Sequence, residues 1–129
     1  MILLDTQVLI WLASEPARLS RKASEAIHAA SQSGGIAISA ITLWELAWLA
    51  TLRRLDITGI ADSFVEKISS RAAIRPIIVK VAVIANQLPA TYSSDLCDRL
   101  IGATALAEGV ALVTKDRTIR NCKQIKTIW

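Results

Sequence analysis

Short aliphatic runs recur along the chain, and segments with the spacing of amphipathic helices separate them. Residues 2–4, 36–39 and 110–114 consist almost entirely of Ile, Leu, Val and Ala. Strands that are apolar on both sides are typical of a parallel sheet with helices on both faces, because neither face meets water. The alternation of such strands with helices therefore predicts an α/β fold with right-handed crossovers.

Turn and capping residues give the limits of the predicted elements. Strands are expected at residues 2–4, 36–39, 74–77, 110–114 and 124–128, and helices at 6–13, 20–31, 41–52, 59–69, 79–87 and 95–108. Ser20 is the expected cap of the second helix, Ser94 or Asp95 caps the last one, and Gly109 ends it. A turn is expected over residues 115–117. Since no repeat or linker interrupts the pattern, we expect a single domain over residues 1–129.

The composition excludes several classes of protein. Of the 129 residues, 53% are hydrophobic and 20% are charged, so the chain has enough apolar surface to fold and is not a disordered sequence. Its charge-free apolar runs are far shorter than the roughly 20 residues that span a bilayer, and the N-terminus has no basic leader. We therefore expect a cytoplasmic protein without membrane association, in which Cys97 and Cys122 are reduced thiols. The net charge of +4 permits contact with nucleic acid without indicating it.

Four acidic residues are distinguished by their positions. Asp5 ends the first predicted strand, Asp116 follows the strand 110–114, Glu45 lies near the start of the helix after the second strand, and Asp98 opens the helix before residue 109. The carboxyl ends of parallel strands and the adjacent helix starts meet at one edge of the sheet, so these acids are expected to converge there. Clustered carboxylates are compensated by a divalent cation, and oxygen ligands select Mg²⁺ or Mn²⁺.

Each acid also has a structural interpretation. An acid in the first turn of a helix favours the helix dipole, and an Asp after a strand is a common turn residue. The apolar surroundings favour the functional interpretation for two of them. Asp5 follows three aliphatic residues and Glu45 lies between Trp44 and Leu46, where a desolvated carboxylate needs a partner.

Three segments together resemble the PIN-domain ribonucleases, and in particular the VapC-type toxins of toxin–antitoxin modules. These segments are LLDTQVLIWL, ISAITLWELA and SSDLCDRLIGATALAEGVALVTKD, and the resemblance extends over essentially the whole chain in length, motif order and spacing. It implies a three-layer α/β/α fold with a central parallel sheet of four to five strands. It also implies a Mg²⁺-dependent endoribonuclease that forms a homodimer and is held inactive by an antitoxin encoded alongside.

The resemblance assigns the catalytic positions to Asp5, Glu45, Asp98 and Asp116. Asp5, Asp98 and Asp116 are expected to bind the metal ion, which activates the water that attacks the RNA phosphodiester. Glu45 is expected to complete the ligand set or to orient that water. The chain departs from the pattern of close relatives at residues 93–94, which are both Ser, and at residue 48, where Trp replaces a common Lys; both departures concern substrate contacts.

Residues next to these acids have predicted supporting roles. Thr6, Thr114 and Asp95 are candidates for orienting the ligands, although Thr6 and Thr114 also suit strand and cap positions and Asp95 also suits a helix N-cap. Arg99, Lys115 and Arg117 are candidates for contacts with RNA phosphates, with solvated surface charge as the alternative. Further basic candidates are Arg53, Arg54, Arg120 and Lys123.

Packing explains the tryptophans more simply than base stacking does. Trp44 and Trp48 share a helix face, and with Trp11 they are expected in the core or in a dimer interface. Two other functions remain open. Asp5 could act as the nucleophile of a phosphatase, although Gln7 stands where such enzymes commonly have a second Asp, or the fold could bind RNA or protein without cleaving it.

Overall fold

The computed structural model describes residues 1–52 and 61–129. Within these residues the strands are β1 (Ile2–Leu4), β2 (Ile36–Ser39), β3 (Ala73–Arg75), β4 (Ala111–Val113) and β5 (Thr127–Ile128). The helices are α1 (Thr6–Ser14), α2 (Arg21–Gln32), α3 (Ala40–Thr51), α4 (Ala61–Ser69), α5 (Val79–Gln87), α6 (Leu96–Glu108) and α7 (Arg117–Arg120), with a short 3₁₀ helix at Pro16–Arg18.

All five strands pair in parallel, in the order β3-β2-β1-β4-β5. From β1 the chain moves outward through β2 to β3 and then returns to β4 on the other side of β1. The direction of winding therefore reverses between β1 and β4. In open α/β sheets the crevice at the carboxyl ends of the strands beside such a reversal is the usual ligand site.

Alternate residues of the strands face two separate helical layers. Leu4, Ile38 and Val113 pack with α1, α2, α3 and α4, whereas Leu3, Ala37 and Leu112 pack with α6 and residues 119 and 125. Because successive strand residues point to opposite faces, this sheet is covered on both sides. The predicted three-layer α/β/α fold with a parallel sheet is thus confirmed.

Several helix ends follow the predicted capping chemistry. The Ser20 hydroxyl accepts a hydrogen bond from the Ala23 N–H, and the Asp95 carboxylate accepts one from the Asp98 N–H. Gly109 ends α6 with a φ of 66°, a left-handed conformation that glycine adopts without strain. No helix in the described residues is long and apolar enough to cross a bilayer.

The structure corrects some predicted limits. The expected strand 74–77 is β3, which ends at Arg75 because Pro76 has no N–H to give to the ladder. The expected strand 124–128 contracts to β5. The expected turn 115–117 leads into the short helix α7, which Asp116 caps. The expected helix 59–69 appears as α4, and residues 59–60 lie outside the described residues.

Candidate active site

A cavity of about 400 Å³ opens at the carboxyl edge of the sheet, beside the reversal between β1 and β4. All four predicted acids line it, although they come from distant parts of the sequence. The lining residues are Asp5, Thr6, Gln7, Val8, Trp11, Glu45, Trp48, Leu49, Asp98, Lys115 and Asp116. The convergence expected from the strand ends is therefore present in the fold.

Asp5 lies between β1 and α1, at the position of a helix N-cap. Its carboxylate makes no capping hydrogen bond and instead accepts one from the Thr114 hydroxyl at 2.7 Å. The pairing of Leu4 with Val113 brings these two side chains together, and the Asp5 N–H continues the ladder to the Val113 carbonyl at 3.1 Å. Burial and the charges of Glu45 and Asp116 raise the pKa of Asp5 to about 6, against the lowering effect of the Thr114 hydrogen bond.

Asp98 occupies the first turn of α6. The Ser93 hydroxyl donates a hydrogen bond to its Oδ2 atom at 2.6 Å. Burial raises the pKa of Asp98 to about 6, the Ser93 hydrogen bond opposes that rise, and the charge of Asp5 adds to it. The charge of Asp5 therefore reaches Asp98 across the cavity.

Glu45 projects from α3 and is half-buried. Burial raises its pKa above the ordinary value, and the charges of Asp98 and Asp95 add to this effect, whereas the Thr6 hydroxyl lowers it. The oxygen atoms of the Thr6 and Thr42 hydroxyls lie 3.1 Å apart, inside the core. Thr6, the first residue of α1, thus lies beside α3 and close to Glu45.

Asp116 combines a capping role with its position in the cavity wall. Its Oδ1 atom accepts hydrogen bonds from the N–H groups of Thr118 at 2.7 Å and Ile119 at 3.2 Å. The Asp116 N–H in turn donates to the Thr114 hydroxyl oxygen at 3.1 Å. Thr114 therefore links Asp116 to Asp5, and the cap engages one carboxylate oxygen of Asp116.

Among residues 1–52 and 61–129, none of the four acids forms an ion pair with a Lys or Arg side chain. The ion pairs in the described part of the chain join Arg18 with Glu15, Arg21 with Glu25 and Arg75 with Glu108, and none of these belongs to the cavity. Hard oxygen ligands are the donor set that Mg²⁺ and Mn²⁺ prefer. The chemistry of these donors therefore suits a divalent metal ion.

A second group of potential ligand atoms lies beside this cavity. One oxygen each from Glu45 and Asp95 and the sulfur of Cys97 lie within 4.8 Å of one another. Burial raises the pKa of Cys97 to about 12, so this thiol keeps its proton and is a poor metal ligand. Asp95 thus caps α6, as its alternative interpretation predicted, and also brings a carboxylate close to Glu45.

Arg99 is bonded to backbone carbonyl groups, and its predicted phosphate contact stays a prediction. The guanidinium group donates to the backbone carbonyls of Ala85 at 2.9 Å, Ser93 at 3.1 Å and Leu88 at 2.7 Å. These bonds use three of the five N–H donors of the guanidinium group, so Arg99 has a structural role in this fold.

The other basic candidates differ in position. Lys115 lines the cavity, with its Nζ atom 5.6 Å from the centre of the Trp11 ring. Arg117 and Arg120 are exposed on α7, and Lys123 is exposed beyond it. Arg53 and Arg54 lie outside the described residues.

The tryptophans divide into a buried and an exposed set. Trp11 is 6% exposed and packs at 5.9 Å from Trp129, as expected for the core, and it also forms part of the cavity wall. Trp44 and Trp48 are 57% and 41% exposed and stack with ring centres 6.0 Å apart. They are therefore not core residues.

Several hydroxyl groups near the acids were not predicted from the sequence, because they come from other helices and loops. Thr42 contacts Thr6, Ser93 contacts Asp98, and Tyr92 donates to the Asp98 carbonyl at 2.8 Å. The pair of serines at 93–94 was visible in the sequence only as a departure from a pattern. Nothing in the local sequence indicated that one of them turns toward Asp98.

Comparison with known proteins agrees with this geometry. The family model described as "PIN domain" matches residues 2–124. Ribonuclease VapC22 from Mycobacterium tuberculosis (strain ATCC 25618 / H37Rv) is 38% identical over 130 residues, which cover 99% of this chain and 98% of the relative.

Solved structures share the fold. VapBC2 from Rickettsia felis, crystallised with a DNA fragment from its promoter, superimposes with a TM-score of 0.75 at 20% identity, covering 98% of this chain and 97% of that one. A toxin–antitoxin complex from Klebsiella pneumoniae gives a TM-score of 0.69 at 25% identity, covering 97% and 95%. The family model and the ribonuclease relative each match nearly the whole chain, and the acidic cavity lies beside the reversal of the sheet. The chain therefore belongs to the PIN domain family.

Proposed function

We propose that the chain is a Mg²⁺-dependent endoribonuclease, with Mn²⁺ as a possible substitute, and the toxin of a toxin–antitoxin pair. The observation that carries the proposal is the meeting of four carboxylates in one cavity, none of which forms an ion pair within the part of the chain that the structure describes. Its relatives support the biological role, since one is named a ribonuclease and another is a toxin–antitoxin complex. The two free cysteines, Cys97 and Cys122, agree with action in the reducing cytoplasm.

In this proposal Asp5, Asp98 and Asp116 hold the ion. When bound, Mg²⁺ makes water a better nucleophile and offsets the charge of the phosphate. Thr114 keeps Asp5 and Asp116 in a fixed relation, because its hydroxyl donates to the first and accepts from the N–H of the second. Glu45, which lines the same cavity from α3, orients the attacking water or completes the ligand set.

Lys115 is the basic residue best placed to contact the RNA backbone. It lines the cavity beside Asp116 but forms none of the ion pairs found among the described residues. The Trp11 ring lies 5.6 Å from its Nζ atom, and a cation–π contact of this kind holds an ammonium group without neutralising it. Lys115 therefore keeps a charge available for a phosphate next to the scissile one. Arg117, exposed on α7, extends the same basic edge.

The antitoxin is proposed to cover the stripe formed by Trp44, Trp48 and Leu52. These side chains recur at four-residue spacing on one face of the chain from α3 onward and are 41–57% exposed. The stripe adjoins the cavity, because Trp48 lines it. A protein that covers the stripe therefore also blocks access to the acids. Trp44→Gln is expected to weaken binding of the antitoxin encoded beside this chain while leaving RNA cleavage by the free toxin unchanged.

The homodimer is also part of the proposal, and we assign it to another surface than Trp44 and Trp48, because the antitoxin is proposed to cover those two side chains. Trp11 is buried in the core, so it cannot contribute to a dimer interface. A second apolar surface consists of Ile74, Ile77, Ile78, Val79 and Val83, with Val79 81% exposed. Light scattering of the purified chain should give the mass of a dimer, and Val79→Lys should give that of a monomer.

Incubation of single-stranded RNA with the purified chain tests the nuclease proposal. Cleavage is expected with Mg²⁺, and EDTA or Asp98→Asn should reduce it at least about a hundredfold. Asp62→Asn is the matched control, because Asp62 lies exposed on α4 away from the cavity. Cleavage that persists in EDTA would contradict the mechanism. Release of phosphate from p-nitrophenyl phosphate would favour a phosphatase, and RNA binding without cleavage would favour a binding module.

A further inference from the structure

The loop of residues 88–95, which joins α5 to α6, contacts Asp98 from two sides. The Ser93 hydroxyl donates to the carboxylate oxygen Oδ2 at 2.6 Å, and the Tyr92 hydroxyl donates to the backbone carbonyl of the same residue at 2.8 Å. The N–H of Asp95 donates to the Ser93 hydroxyl oxygen at 3.1 Å, which fixes the direction of that hydroxyl. The conformation of this loop therefore determines how the Asp98 carboxylate is held.

Arg99 anchors the loop to the end of α5. Its guanidinium group donates to the carbonyls of Ala85 and Leu88, where the helix leaves carbonyl groups without partners of their own, and to the carbonyl of Ser93. A positive charge at a helix C-terminus is also favoured by the helix dipole. Because Arg99 follows Asp98 directly in α6, one helical turn supplies both the acid and the group that fixes its supporting loop.

This arrangement gives the two oxygens of Asp98 different roles. Oδ2 is engaged by Ser93, so Oδ1 is the oxygen left to face a ligand in the cavity. Mg²⁺ demands nearly ideal geometry from its ligands, and residues that orient a ligand commonly change metal affinity by about 10- to 100-fold. The adjacent Ser94 is exposed and makes no hydrogen bond through its side chain within the described residues.

We propose that Ser93 is a positioning residue of the metal site, that it orients the Asp98 carboxylate, and that Arg99 keeps it in place through the loop. The inference rests on the proposed metal site at Asp98. It also gives a new interpretation of the two serines at 93–94, which were related to substrate contacts on the basis of the sequence alone. Ser93 turns inward to a metal ligand instead of marking a missing substrate contact.

The test compares Mn²⁺ binding by the full chain and its variants in the absence of RNA, measured by electron paramagnetic resonance. Ser93→Ala should weaken binding about tenfold or more, because the carboxylate loses the donor that fixes its rotation. Ser94→Ala is the matched control and should bind as the original chain does. Ser93→Thr retains the hydroxyl and should restore most of the affinity.

A second measurement separates positioning from a general loss of structure. RNA cleavage by Ser93→Ala should recover at high Mn²⁺ concentration, and the melting temperature of the metal-free variant should decrease only slightly, because two hydrogen bonds are lost. Equal Mn²⁺ affinity of Ser93→Ala and Ser94→Ala would overturn the inference while leaving the nuclease proposal intact. If Asp98→Asn also bound Mn²⁺ as tightly as the original chain, the proposed metal site itself would be wrong.

Discussion

Asp5→Asn should stabilise the metal-free protein at neutral and higher pH, although it removes a group proposed to be catalytic. The Asp5 carboxylate is largely buried and faces the charges of Glu45 and Asp116. An amide has nearly the same shape, carries no charge, and can still accept the hydrogen bond from the Thr114 hydroxyl. The substitution therefore relieves repulsion and desolvation without leaving a cavity.

The magnitude follows from the pKa of Asp5, which rises from 3.8 to about 6 in the folded protein. Between these values the folded state holds a proton that the unfolded state has released, so stability decreases as the pH rises from about 4 to about 6. A difference of about two pKa units corresponds to about 3 kcal/mol above pH 7. Since the carboxylate faces a cavity that admits water, we expect a gain of about 1–3 kcal/mol for Asp5→Asn.

Urea unfolding in EDTA, at several pH values between about 4.5 and 8, measures this effect. The advantage of Asp5→Asn should grow across this range and become constant above about pH 7. Asp62→Asn, an exposed acid in the first turn of α4, should be neutral or slightly destabilising at every pH. Added Mg²⁺ should stabilise the original chain and not Asp5→Asn. A variant no more stable than the original at pH 8, or an advantage independent of pH, would refute the reasoning.

Two further predictions follow from the same structure. RNA cleavage at low Mg²⁺ concentration should decrease as the pH falls through about 6, because Asp5 and Asp98 take up protons there. Protonated carboxyl groups bind metal poorly. A cleavage rate that is independent of pH between about 5 and 8 would contradict this prediction. Gly102→Ala should lower the free energy of unfolding by about 1–3 kcal/mol, because an added Cβ would overlap the buried Tyr92 hydroxyl and Ile125. An unchanged melting temperature of that variant would exclude this tight packing.

The sequence was sufficient for the fold because its signals are local. Residues 2–4 and 36–39 are apolar on both sides and become central or near-central strands, and Ser20 and Gly109 mark helix ends through their own backbone chemistry. The edge of the sheet was harder to place. In β3, buried and exposed residues do not alternate clearly, and Ile74 is 47% exposed. The hydrophobic pattern alone therefore does not define the register of this strand.

The acids of the site were predictable because topology brings strand ends together. Asp5 and Asp116 follow β1 and β4, which are neighbours at the reversal of the sheet. The supporting contacts depend on tertiary structure instead. Ser93 reaches Asp98 only because the loop turns back over α6, and Arg99 turns away from the cavity because the end of α5 offers free carbonyls. The sequence predicts the end of α5 correctly, but it does not show that the loop returns to Asp98 or that Arg99 reaches those carbonyls.

Repulsion between Asp5 and Asp98 predicts that the effects of Asp5→Asn and Asp98→Asn on the free energy of unfolding are not additive. The charge of Asp5 raises the pKa of Asp98, so Asp5→Asn alone should already remove part of the electrostatic repulsion on the Asp98 carboxylate. In metal-free protein at pH 8, Asp98→Asn should therefore stabilise less when Asp5→Asn is present, by roughly 0.5 kcal/mol or more. Asp62→Asn, whose charge affects neither acid, should add to Asp5→Asn within about 0.5 kcal/mol. Strict additivity of Asp5→Asn and Asp98→Asn would mean that the two carboxylates do not share one electrostatic environment, and then a single ion could not be held by both.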